Sequence, residues 1–130
     1  HENIVKMRTS NIENRQRDDP VHIVLEYLPC DLGADLSHPA IKENKREILR
    51  QILKGIAHIH SKSLAHSDIK SKNILLDPTT MTVKICGFVF CFDGEEELDF
   101  PGTSTSGYYS DILSVAGLMV RLYLGESSLD

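Results

Sequence analysis

His66-Ser67-Asp68-Ile69-Lys70-Ser71-Lys72-Asn73 decides the reading of this chain. It is a polar, charged loop set between two segments of strong pattern. Before it, residues 42–60 place Ile48, Leu49, Ile52, Leu53, Ile56 and Ile59 on one face of a helix, with Lys45, Arg46, Arg50 and Lys54 on the other. After it, Asn73-Ile74-Leu75-Leu76 and Met81-Thr82-Val83-Lys84-Ile85-Cys86 flank Asp77-Pro78-Thr79-Thr80, which predicts two strands around a turn.

Further out, Ile4–Arg8 and His22–Tyr27 read as strands joined across the polar stretch Thr9–Pro20, and Pro29 ends the second. A helical turn is expected over Asp31–Leu36. A last helix is expected from about Asp111 to Leu124, with Ser110 as N-cap and Gly125 as its stop. That helix is apolar nearly all round, a pattern suited to the interior of a larger body. The two histidines of the long helix, His58 and His60, lie two apart and so point to different faces, which argues against a shared metal ion.

The 130 residues are 41% hydrophobic and 25% charged, the composition of one ordinary folded domain. No apolar run approaches the ~18 residues of a membrane span, and no signal peptide opens the chain. Residues 1–76 hold 12 basic and 10 acidic side chains, and residues 77–130 hold 2 and 9, for a net charge of −5. This balance speaks against nucleic acid or an anionic membrane as partner. Cys30, Cys86 and Cys91 are odd in number and form no C-x-x-C pair, so reduced, intracellular cysteines (cytoplasmic or nuclear) are expected. The opening His1-Glu2-Asn3-Ile4-Val5 reads as the middle of something longer.

The loop resembles the H-R-D-x-K-x-x-N catalytic loop of eukaryotic protein kinases, followed as in kinases by a hairpin. The resemblance implies that Asp68 orients the attacking hydroxyl, Lys70 neutralises the transferring phosphate and Asn73 binds magnesium. His1–Val5 resembles the H-x-N-I-V that leads into the fourth small-lobe strand. Val24–Pro29 resembles the fifth strand and hinge, implying Leu25 as gatekeeper, Glu26, Tyr27 and Leu28 as adenine-facing backbone, and Leu75 as part of the adenine site. Lys70 marks the serine/threonine type. Asp31-Leu32 and the Asp77-Pro78 turn lean towards the cyclin-dependent, mitogen-activated and glycogen synthase kinase branch. Ser110–Gly117 resembles the start of the buried large-lobe helix, whose Asp, here Asp111, would hold the backbone of the catalytic loop. His66, Phe88 and Met7 would join the apolar column between the lobes. The implied fold is α+β, a partial kinase domain with small-lobe strands and hinge over 1–28 and an incomplete large-lobe core over 29–130.

The departures are as informative. In place of D-F-G stands Gly87-Phe88-Val89, fourteen residues after Asn73 at its first position, which removes the metal carboxylate. Ser67 replaces the Arg that pairs with a phosphorylated activation loop. The acidic run Asp93, Glu95, Glu96, Glu97 and Asp99 is expected as a solvated loop. Gly102–Tyr109 resembles the end of an activation segment running straight into the buried helix, with the A-P-E anchor deleted. No two of the eight glycines form G-x-G. ATP and magnesium are the implied cofactors, weakly bound if at all. Three functions stay open: a degenerate, inactive kinase domain, a non-catalytic module that binds a protein partner, and an active serine/threonine kinase whose missing parts lie outside this chain.

Overall fold

The computed structural model describes residues 1–34, 36–100 and 103–125. Its centre is an antiparallel sheet of three strands, in the order β3 (Cys30–Asp31), β5 (Ile74–Asp77) and β6 (Thr82–Ile85). β5 and β6 form the hairpin predicted from sequence, with Ile74 opposite Ile85 and Asp77 opposite Thr82. Alternation along both strands buries Ile74, Leu76, Val83 and Ile85 on one face. Against that face lies α2 (Lys45–Ser61), whose Ile48, Ile52, Ile56 and Ile59 recur at helical spacing and are all buried. Each such side chain contributes about 1.5–3 kcal/mol by leaving water.

The helix expected from residue 42 is two helices. Pro39 opens α1 (Pro39–Glu43), and His38 Nδ1 accepts the Ala40 N–H. Asn44 then leaves helical geometry at φ −125° and donates its side-chain amide to Ala40 O at 2.8 Å, so that α2 begins afresh at Lys45.

The opening residues are tied to this core by polar contacts. Asn3, itself buried, donates Nδ2 to Gln51 Oε1 at 3.0 Å and to Val83 O at 2.9 Å. Gln51 Oε1 also accepts the Val83 N–H, so α2, β6 and the N-terminal segment meet at one buried pair of amides. Ile4 makes only a single parallel bridge to Ile85, and β1 runs Met7–Ser10 rather than 4–8. It pairs antiparallel with β2 (Ile23–Leu25), every residue of which is exposed. A two-stranded ribbon of this kind is marginal on its own.

The helical turn expected over Asp31–Leu36 is replaced by β3 and a tight turn. The Asp31 carboxylate accepts the Gly33 N–H at 2.8 Å, and Leu32 N–H bonds Ile74 O, which draws the segment onto the sheet (Asp35 lies outside the described residues). β4 (Leu64–Ala65) pairs with β7 (Phe92–Asp93). The acidic stretch is not all loop: Glu97–Phe100 forms β8, paired with β9 (Thr103–Ser106), and Gly102 lies outside the described residues.

The last helix, α3, spans Gly107–Leu124 and starts one turn earlier than expected. Ser106, not Ser110, is the N-cap, its Oγ accepting the Tyr109 N–H. Gly107 fits there because a Cβ would stand 2.7 Å from Ala65 Cβ. Gly125 is the stop, its N–H bonded to Arg121 O. Val115, Leu118 and Leu122 face the core, while Ile112, Leu113, Met119, Tyr123 and Leu124 are exposed. No helix among the described residues is long and apolar enough to cross a membrane.

Candidate active site

The loop after α2 is held from below by one buried carboxylate. Asp111, 1% exposed, accepts the His66 N–H at Oδ2 (2.8 Å) and the Ser67 N–H at Oδ1 (2.9 Å). Its Oδ2 also accepts from His60 Nε2 at 2.8 Å, a partner that sequence reading did not assign. These bonds hold Ser67 at φ +70°, a conformation non-glycine residues rarely adopt. The Ser67 hydroxyl is buried and has no hydrogen-bond partner among the described residues.

His66 is fully buried between the loop and the strand end. Its Nε2 faces Cys86 O at 2.7 Å and its Nδ1 accepts the Asp68 N–H at 3.1 Å. A carbonyl can only accept, so the ring carries its hydrogen on Nε2, and this tautomer aims the Asp68 backbone. The ring meets Phe88 edge-on, with centroids 4.9 Å apart.

Asp68, Lys70 and Asn73 come together at the open end of the hairpin. Lys70 Nζ lies 3.2 Å from Asp68 Oδ1. Asn73, in the 3-10 turn Ser71–Asn73, donates Nδ2 to Asp68 O at 2.8 Å and to Asp68 Oδ2 at 3.0 Å. Its backbone carbonyl accepts the Cys86 N–H, which fixes the turn to β6. Gly87 sits directly above, at φ +78°, where a Cβ would lie 2.5 Å from Asn73 Cγ and Oδ1 and 2.6 Å from Nδ2. The Asn73 amide therefore fills the space that any side chain at 87 would need.

Magnesium requires about six oxygens in near-octahedral array at 2.0–2.1 Å. Here Asn73 spends its Nδ2 on Asp68 and offers a single amide oxygen, and Gly87 supplies no carboxylate beside it. No group of three or more His, Cys, Asp or Glu among the described residues is arranged to hold a metal. The residues present do not fit this ion.

Leu25, Met7 and Phe88 line one apolar cleft of 540 Å³, together with Ile4, Ile23 and Val89. Glu26 follows Leu25 and is tied down twice: Oε1 accepts from Lys84 Nζ and from the Lys6 N–H, each at 2.7 Å. The hydrogen bond from Lys84 holds the Glu26 carboxyl below its usual range, against the opposing effect of burial. The Glu26 N–H bonds Lys6 O and is not available to a ligand. Tyr27 is exposed, Leu28 half-buried, and Leu75 pairs with Asp31 and Lys84 on the sheet.

A model of the protein kinase domain matches residues 1–119. The chain belongs to the protein kinase family. Glycogen synthase kinase 1 of Pyricularia oryzae is 33% identical to it over 96 residues, 68% of this chain and 24% of that protein. A probable serine/threonine-protein kinase of Arabidopsis thaliana is 31% identical over 80 residues, 59% of this chain and 14% of that protein. The chain thus spans a quarter or less of the length of these relatives. Among solved structures, a chain of the yeast RNA Pol II CTD kinase CTDK-1 complex superposes with a TM-score of 0.72 at 22% identity, covering 97% of this chain and 46% of that one. The α+β fold is accordingly part of the kinase fold.

Proposed function

We propose that this kinase-family chain does not transfer phosphate and that it keeps the catalytic-loop architecture as a scaffold. One observation carries the reading: the position above the Asn73 amide, where a metal-holding pair would need a carboxylate, is Gly87, and the amide itself fills the space that a side chain there would take. Phosphoryl transfer depends almost wholly on positioning and electrostatic stabilisation, and removing one stabilising group of this kind costs on the order of 3 kcal/mol in the transition state. In this reading Asp68 and Lys70 are a vestigial pair. Asp111, His66 and Phe88 retain a structural role, and nucleotide binding at the Leu25–Leu28 segment and Leu75 is feeble and independent of magnesium.

A protein partner is the corresponding ligand. The apolar cleft lined by Leu25, Met7 and Phe88 and the exposed face of α3 favour this second, non-catalytic reading of the same chain. The test is a radiolabelled ATP assay with serine/threonine protein substrates, with and without magnesium. Background counts are expected, unchanged by Asp68→Asn. Magnesium-dependent transfer that disappears in Asp68→Asn would return the chain to the active kinases.

A further inference from the structure

We propose that the outward face of α3 pairs with the same face of a second copy of this chain, antiparallel about a two-fold axis beside Ala116. This rests on the protein-binding reading of α3 given above and names the occupant. At about 100° per residue, Asp111, Val115, Leu118 and Leu122 turn one side of the helix into the core. On the other side, the residues from Met119 round to Leu124 span an arc of about 140°. That arc carries no charged side chain, and its only polar side-chain atoms are the hydroxyls of Tyr109 and Tyr123. Ile112, Leu113, Met119 and Leu124 are exposed on it. Such a face has nothing with which to steer a charged ligand, and its chemistry is that of a surface covered by protein.

The order of residue sizes along the face points to another copy as the partner. The face reads nearly the same in both directions from Ala116: Leu113 and Met119 lie three positions away, Ile112 and Val120 four, and Tyr109 and Tyr123 seven. An antiparallel two-fold exchanges the two directions, as a self-complementary interface requires. It sets Ile112 against Met119 of the other copy, Leu113 against Val120, and Tyr109 against Tyr123. Packed helices cross at an angle, so the gap between them is narrowest at the crossing and widens outward. Here the smallest residue stands at the centre, aliphatic side chains come next and the tyrosines last. Beside Ala116, a Cβ built on Gly117 would meet nothing within 4 Å, which leaves room for close approach. Lys45 Nζ lies 5.2 Å from the centre of the Tyr123 ring, and Tyr123 is half-exposed with that lysine in place. The area is also sufficient. Tyr109, Ile112, Leu113, Met119, Tyr123 and Leu124 are each about half exposed or more. At about 100 Å² for each half-exposed large side chain they offer roughly 600 Å². Ala116 and Val120 bring the face close to the roughly 800 Å² per partner of a stable interface.

Sedimentation equilibrium of the full chain over a range of concentrations is the test. A closed dimer is expected, with a Kd of about micromolar or tighter, the range for interfaces of this size. Ile112→Glu and Met119→Lys each put an unpaired charge into the contact twice, and each should weaken the dimer at least about tenfold. An equal mixture of the two variants brings the new carboxylate of one chain against the new ammonium of the other. It should therefore dimerise at least about tenfold more tightly than either variant alone. A parallel pair would place position 112 against 112 and gain nothing from mixing. Both positions are exposed, so an unchanged far-ultraviolet dichroism spectrum checks that each variant is folded. Val21→Glu, at an equally exposed apolar residue before β2, should leave association unaltered. A mixture no tighter than the single variants, assembly beyond two copies, or equal weakening by Val21→Glu overturns the proposal. So does a wild-type chain that stays monomeric at about 100 μM. If that monomer still binds a hydrophobic dye, the second copy is excluded while the protein-binding reading of α3 stands, and if it excludes the dye both fall.

Discussion

Adding a single methyl group at Gly87 should cost this protein a large share of its stability, and the cost should depend on Asn73. A Cβ there meets Asn73 Cγ at 2.5 Å, and ordinary contact begins at 3.4 Å, so the amide must retreat by about 0.9 Å. Its two bonds to Asp68, at 2.8 and 3.0 Å, do not survive that shift. One neutral hydrogen bond is worth about 1 kcal/mol and one to a carboxylate about 1.5–3. Holding alanine at φ +78° adds about 1–2 kcal/mol. Gly87→Ala is therefore expected to destabilise the chain by about 4 kcal/mol. Unfolding entropy of about 2.1 cal/mol/K per residue gives about 0.27 kcal/mol/K for 130 residues, hence a midpoint drop of about 15 °C. In an Asn73→Ala background only the backbone strain remains, so the same change should cost about 1–2 kcal/mol. Urea denaturation of the four proteins in this double-mutant cycle measures the difference. Equal costs in the two backgrounds would refute the claim that Asn73 occupies the space above Gly87. Gly87→Asp carries the same Cβ and should not restore a metal site.

Asp111→Asn should cost about 3 kcal/mol, because the amide presents a donor to backbone N–H groups that need an acceptor. A loss below 1 kcal/mol in chemical denaturation would remove Asp111 from the loop's support. The outward residues Ile112, Leu113, Met119 and Leu124 of α3 are all exposed, so the purified chain should self-associate and bind a hydrophobic dye. Leu113→Glu with Leu124→Lys should shift its size-exclusion profile to monomer, and a wild-type monomer that excludes the dye would count against this patch.

The hairpin and α2 were legible in sequence because their periods, two and 3.6, are set by the same face that becomes the core. Ile48, Ile52, Ile56 and Ile59 face the sheet as spaced. Boundaries were less legible where two residues could do one job. Ser106 and Ser110 both qualify as caps, and only the close approach of Ala65 to Gly107 selects the first. The break at Asn44 was signalled by Pro39, whose place in a first helical turn implies a separate helix before α2. The Asp68–Asn73 cluster could be found by motif spacing. The Asn73–Gly87, His60–Asp111 and Glu26–Lys84 contacts join residues far apart in the chain and carry no local pattern. They exist only once the elements have assembled.

The amide of Asn3 fastens the opening residues to Val83, 80 positions later. During synthesis at about 5–20 residues per second, that partner emerges some 4–16 s after Asn3 does. Until then the opening residues lack their tie to β6. The amide pair of Asn3 and Gln51 can form earlier, since α2 is complete by residue 61. Folding on the ribosome is therefore expected to run inward from α2, with the first segment of the chain among the last to lock.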